Sequence, residues 1–129
     1  MNPLSSSVSF EREGRVAYVT LNAPPLHILN LDALAARRRA AQEASESKEP
    51  PAAAVVLRAR GGKCFCAGAD VKQRQLRPRE ELVRQGSPGA IRRPGGGMGL
   101  GETVNWKPVI AAVHGYVIGS GHGIAEDCD

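Results

Sequence analysis

Val109-Ile110-Ala111-Ala112-Val113-His114-Gly115-Tyr116-Val117-Ile118-Gly119-Ser120-Gly121 runs from an apolar, β-branched stretch into a turn crowded with glycine. The stretch Val109 to Val113 follows Trp106-Lys107-Pro108 and is too short for a helix, so it predicts a buried strand. Gly115, Gly119, Gly121 and Gly123 then lead into residues that can open a helix. The same layout occurs upstream. Ala52 to Leu57 is an apolar run bounded by breakers, read as a strand buried on both faces, and a glycine-containing turn and the segment Cys64 to Lys72 follow it. Strands alternating with helices in this way predict an α/β layered fold.

Working outward, Val8 to Arg12 alternates apolar and polar residues, Glu13-Gly14 offers a turn, and Val16 to Leu21 is β-branched and aromatic, which predicts an opening hairpin. Pro24-Pro25 stops the strand. Asn30 with Asp32 reads as an N-cap and first-turn acid for a helix from Leu31 to about Ala44, with Leu31, Leu34 and Ala35 on one face and Arg37, Arg38 and Arg39 on a solvated one. Residues 77–101 are dense in Pro, Gly and Arg and read as a mobile loop with one helical turn near Glu80 to Arg84, equally a lid or a surface loop. Cys128-Asp129 shows no closing cap, so the chain reads as cut there.

A chain of 129 residues with 42% hydrophobic and 23% charged residues has the composition of one folded domain. Its net charge of +4 suits an anionic ligand. Nucleic acid is not expected as a partner, because the five aromatics (Phe10, Tyr18, Phe65, Trp106, Tyr116) are scattered and offer no stacking platform. No run is long and apolar enough to span a bilayer, and Met1 to Ser7 lacks the pattern of a signal peptide, so no membrane partner and a cytoplasmic location are expected. Cys64, Cys66 and Cys128 are an odd set and read as reduced thiols.

The chemistry resides in the two glycine turns. Glycine lets a backbone approach a ligand closely, and N–H groups at the start of a helix are unpaired. Two such groups converging on one oxygen would stabilise negative charge developing on a thioester carbonyl. On composition alone, tight structural connections are the favoured reading of such turns.

The wording of the segments adds to this. Cys64-Phe65-Cys66-Ala67-Gly68-Ala69-Asp70-Val71-Lys72 follows the pattern Phe-x-Ala-Gly-Ala-Asp-hydrophobic-Lys, and Lys107-Pro108-Val109-Ile110-Ala111-Ala112-Val113-His114-Gly115-Tyr116 runs into a glycine turn. Together they resemble the enoyl-CoA hydratase/isomerase, or crotonase, family, and the match extends over essentially the whole chain. The resemblance implies a crotonase-like spiral of repeated ββα units, truncated to its N-terminal half, and an acyl-CoA substrate that is hydrated or isomerised. It also implies no cofactor beyond the coenzyme A carried by the substrate, and a homotrimer or hexamer at full length. By resemblance, the N–H groups of Ala69 and Ser120 form an oxyanion hole, and Ala67, Gly68, Ala69, Asp70, Val71 and Lys72 line the coenzyme A path.

Three positions depart from that pattern. Ser120 stands where the family has Gly, which predicts a narrowed hole or restricted backbone angles. His114 replaces an Asn and reads as a packed residue. Gly123 occupies the position of a family Glu, one of two carboxylates that activate water, and the second would fall beyond Asp129. Glu126 lies nearly a turn away from that vacancy, and His122 points about a quarter-turn aside and reads as packed. These losses keep open two alternatives: a scaffold or fragment that binds coenzyme A without turnover, and a specialised relative such as a cyclic dienoyl-CoA hydratase or a ring-forming or hydrolytic enzyme. Pro24-Pro25-Leu26-His27-Ile28-Leu29 resembles the corresponding turn of the cyclic dienoyl-CoA hydratases. Cys64 and Cys66 with His114 or His122 do not supply four convincing zinc ligands, so no metal is expected. Gly119-x-Gly121-x-Gly123 fails as a dinucleotide fingerprint because its third glycine is one position early.

Overall fold

The computed structural model describes residues 2–5, 7–46, 51–72, 76, 78–80 and 107–129. The opening hairpin forms as expected. Strand β2 (Val8–Glu13) pairs antiparallel with β3 (Val16–Leu21), Val8 facing Leu21 and Glu13 facing Val16 across the Gly14-Arg15 loop. An unanticipated strand, β1 (Asn2–Ser5), adds to the free edge of β2. Its sequence shows no alternation, and Pro3 is tolerated there because the strand is at the sheet edge.

β4 (Ala54–Ala59) and β6 (Val109–Ala112) then join in parallel, giving a five-stranded sheet in the order β1-β2-β3-β4-β6. Both were expected to be buried on two faces, and neither is. In β4, Val55, Leu57 and Ala59 are buried, whereas Ala54, Val56 and Arg58 are half-buried. The face shared by Tyr18, Thr20, Val56 and Arg58 is covered by its own side chains. The Arg58 guanidinium lies 4.3 Å from the centroid of the Tyr18 ring, donates to Thr20 Oγ1 at 3.1 Å and pairs with Glu11. β6 buries Val109 but leaves Ile110 51% exposed, because among the described residues it pairs only with β4.

The helix α1 (Leu31–Glu46) begins where the sequence places it, with Asn30 Oδ1 accepting the Ala33 N–H at 2.7 Å. It runs two residues past the expected end. Its described buried side chains are Ala33, Ala36, Ala40 and Ala44, a stripe at helical spacing that contributes to the main core. Such small residues allow the helix to approach the sheet closely. The side chains of Leu31, Leu34, Ala35, Arg37 and Arg38 lie outside the described residues, whereas Arg39 is exposed.

Three times the chain leaves the large sheet, forms a short extended piece in a second layer and enters a helix. After β3, Leu29 bridges to Ala69 and α1 follows. After β4 comes β5 (Cys64–Cys66), and Val71 and Lys72 have helical backbone. After β6 comes β7 (Tyr116–Val117), which pairs in parallel with β5, and then helix α2 (Ser120–Glu126). This is the repeated ββα unit that the resemblance implies. Apart from residues 78–80, the expected loop over 77–101 lies outside the described residues, as does the expected helical turn beyond Glu80. Asp129 is tied back to the start of β6: its Oδ2 accepts the Val109 N–H at 2.9 Å, and its N–H donates to Val109 O at 2.8 Å.

Candidate functional site

Second-layer segments from the three units meet at Gly68. Leu29 N–H donates to Gly68 O at 2.8 Å, and Asp70 N–H donates to Leu29 O at 2.9 Å. Ala67 N–H donates to Leu26 O at 2.9 Å, and Ile118 N–H donates to Cys66 O at 2.9 Å. These bonds fix Leu26–Leu29, Cys66–Asp70 and Ile118–Gly121 against one another. Two glycines make the approach possible, with positive φ at Gly68 (112°) and Gly119 (57°). A Cβ placed on Gly68 would stand 3.2 Å from Ile118 O and 3.8 Å from Ser120 N, so the two turns are in near contact.

Within this frame Ala69 and Ser120 are distinctive. Their neighbours Ala67, Asp70, Gly121, His122 and Gly123 all donate backbone hydrogen bonds, but neither the Ala69 N–H nor the Ser120 N–H does so among the described residues. Ala69 itself is exposed. Backbone N–H groups are rarely left unpaired except at a helix start or a binding site, and here two flank one glycine. Of the other residues predicted to line a ligand path, Ala67 and Asp70 are half-buried, Gly68 is buried, and Val71 and Lys72 are exposed.

Ser120 departs from expectation. Its backbone is not in the left-handed region; Gly119 takes that conformation, so the substitution of Ser for Gly introduces no backbone strain. Its Oγ is buried, lacks a hydrogen-bond partner among the described residues and lies 3.8 Å from the Cβ position of Gly68.

Gly123 lies on α2 with nothing within 4 Å of its Cβ position, so no steric demand fixes glycine there. His122 was expected to pack and does not. Its side chain is 62% exposed, and Nδ1 lies 3.2 Å from Glu126 Oε2, an i,i+4 pairing on the open face of α2. Glu126 is thereby turned to its own helix rather than to the place above Gly123. His114 does pack: its ring meets Phe65 edge to face at 6.5 Å, and its buried Nε2 has no hydrogen-bond partner among the described residues.

Two supports escaped the sequence reading. His27, 2% exposed at φ 49°, accepts the Ala23 N–H on Nδ1 at 3.1 Å, which leaves Nε2 to donate to Arg60 O at 2.8 Å. The ring pins the turn after Pro24-Pro25 to the end of β4. The thiols of Cys64 and Cys66 donate to the carbonyls of Leu26 at 3.5 Å and His27 at 3.2 Å, tying β5 to the same turn. The Pro-Pro-Leu-His string gave the turn; only the fold shows what the ring and thiols reach. Among the described residues no three His, Cys, Asp or Glu side chains gather as metal ligands.

A family model for enoyl-CoA hydratase/isomerase matches residues 11–129. The chain is 38% identical over 127 residues to a short-chain-enoyl-CoA hydratase of Clostridium acetobutylicum, covering 96% of this chain and 45% of that protein. It is 34% identical over 126 residues to an (E)-benzylidenesuccinyl-CoA hydratase of Thauera aromatica, covering 95% of this chain and 44% of that one. Among solved structures, Pseudomonas aeruginosa DspI superposes with a TM-score of 0.77 at 26% identity, covering all of this chain and 50% of that one. An enoyl-CoA hydratase from Mycobacterium tuberculosis H37Rv gives 0.72 at 26% identity, covering 97% and 44%. The chain thus spans about half the length of the proteins it matches.

Proposed function

This chain belongs to the enoyl-CoA hydratase/isomerase family and carries its crotonase fold, and from that premise we propose that it binds an acyl-CoA thioester whose carbonyl oxygen is held by the N–H groups of Ala69 and Ser120. The observation that carries this reading is the pair of donors, unpartnered among the described residues, on two touching turns. As negative charge builds on the oxygen during enolate formation, fixed donors gain strength without having to reorganise; in enzymes that use such donors, removing one costs about 10²–10³ in rate. The reaction is addition of water to, or migration of, the double bond of an enoyl-CoA. Coenzyme A enters as part of the substrate, with no separate cofactor, and its phosphates suit the chain's net charge of +4. Ala67 to Lys72 forms the coenzyme A path. The protein acts in the cytoplasm, in acyl-CoA metabolism, as a trimer or hexamer when its subunit has the length of its relatives. No helix among the described residues is long and apolar enough to cross a membrane.

Amide NMR with butyryl-CoA, which has no double bond to react, tests the binding. The Ala69 and Ser120 amides are expected to move downfield with butyryl-CoA and not with free coenzyme A. Unmoved amides at saturation would refute the assignment.

A second reading, thioester binding without turnover, draws support from Gly123. No carboxylate rises there, and Glu126 faces His122. Crotonyl-CoA separates the two readings: water addition or isomerisation supports catalysis, and tight binding without either supports the scaffold.

A further inference from the structure

The Ser120 hydroxyl makes no hydrogen bond to the described residues. Its Oγ is shielded from bulk solvent, and among the described residues no acceptor reaches it. A buried donor left unpaired destabilises the ligand-free state. The backbone does not require serine, since Gly119 carries the positive φ and Ser120 simply begins α2. Packing does not require it either; alanine would present the same Cβ without an orphaned hydroxyl. Buried polar atoms that folding leaves unsatisfied point to a partner that arrives later.

The position of the hydroxyl identifies that partner. It stands beside Gly68, on the same residue as one of the two unpaired N–H groups and next to the turn that carries the other. Serine χ1 moves readily between staggered wells, and a well gauche to its own nitrogen brings Oγ alongside the Ser120 N–H. An oxygen accepting that N–H therefore lies within reach of the hydroxyl.

We propose that the Ser120 hydroxyl is a third hydrogen-bond donor to the thioester oxygen, turning from its unpaired orientation onto the oxygen when an acyl-CoA binds. The proposal rests on the assignment of the Ala69 and Ser120 N–H groups above. A hydroxyl on the oxygen lowers the carbonyl bond order further than two N–H groups alone and discriminates an acyl thioester from free coenzyme A.

Isotope-edited infrared spectroscopy of bound [1-13C]butyryl-CoA, with affinities for butyryl-CoA and for coenzyme A, provides the test. In the native protein the carbonyl stretch is expected to fall below its frequency in free butyryl-CoA. Ser120→Ala should return it part-way and weaken butyryl-CoA binding by about threefold to tenfold, leaving coenzyme A binding unchanged. Ser120→Gly, which also removes the hydroxyl, should behave alike. If both variants keep the native stretch and the native ratio of butyryl-CoA to coenzyme A affinity, the hydroxyl is not a donor, although the N–H assignment stands. Equal weakening toward both ligands with an unchanged stretch shows a packing role and also overturns the proposal. An unshifted stretch in the native protein removes the N–H assignment and this proposal with it.

Discussion

Four glycines crowded between positions 115 and 123 look alike in the sequence, yet the fold uses them differently. A Cβ on Gly115 would lie 2.1 Å from Lys63 O, a carbonyl held in place by the Tyr116 N–H. Gly115 also has a φ of 57°. Gly115→Ala is therefore expected to cost more than about 3 kcal/mol, read as a lowered urea midpoint with the slope unchanged. A Cβ on Gly121 would meet Cys66 O at 2.5 Å, so this glycine is set by packing. Gly123 is the opposite case. Gly123→Glu meets nothing and replaces a poor helix former with a good one, so stability should hold or rise by up to about 1 kcal/mol. If the missing carboxylate limits water addition, the same variant should hydrate crotonyl-CoA about tenfold faster or more, followed as loss of the conjugated thioester's absorbance. The sequence singles out Ala69 and Ser120 as candidates because the motif around them is long and ordered. It misread His122 because an exposed i,i+4 contact with Glu126 depends on which way α2 faces, and periodicity over so short a helix does not fix that.

Elements were legible in proportion to how local their causes are. Helix α1 was placed by its cap: Asn30 satisfies a first-turn donor within a few residues, and Asn30→Ala is expected to cost about 1 kcal/mol in chemical denaturation. Its buried stripe was not legible. In an Ala-rich helix almost any face looks apolar, and only the sheet selects Ala33, Ala36, Ala40 and Ala44. Because those alanines set the spacing between layers, Ala36→Leu should destabilise by about 1–3 kcal/mol despite adding hydrophobic surface, and a stabilised variant would refute the close-packed stripe. β1 was missed for the reverse reason: its pairing with β2 is a property of that strand's free edge, and Asn2 to Ser5 carries no alternation of its own. The short pieces β5 and β7 are too brief to show a period, and they become strands only because the repeat brings Cys64 beside Tyr116.

At the scale of the molecule, burial is lopsided. The side of the large sheet nearer β1 is closed by α1, and its core residues are almost fully shielded. Toward β6 and β7 the chain presents Ile110, Val113, Tyr116 and Ile118, each more than half exposed, in one short stretch. Isolated apolar residues are normal on a surface, whereas four within so short a stretch expose apolar area that water disfavours. Among the described residues β6 also keeps one side free of strand partners, which adds unsatisfied backbone to the same edge. These 129 residues, about half the length of their relatives, are therefore expected to self-associate with rising concentration. Light scattering coupled to size exclusion should show the average mass increasing across the micromolar range. Ile110→Lys and Ile118→Lys together should shift the chain toward monomer without lowering its urea midpoint, because neither side chain belongs to the buried core. A single monomeric mass at every concentration, unchanged by the two lysines, would mean that the edge is not adhesive and that the open side of the sheet is its resting surface.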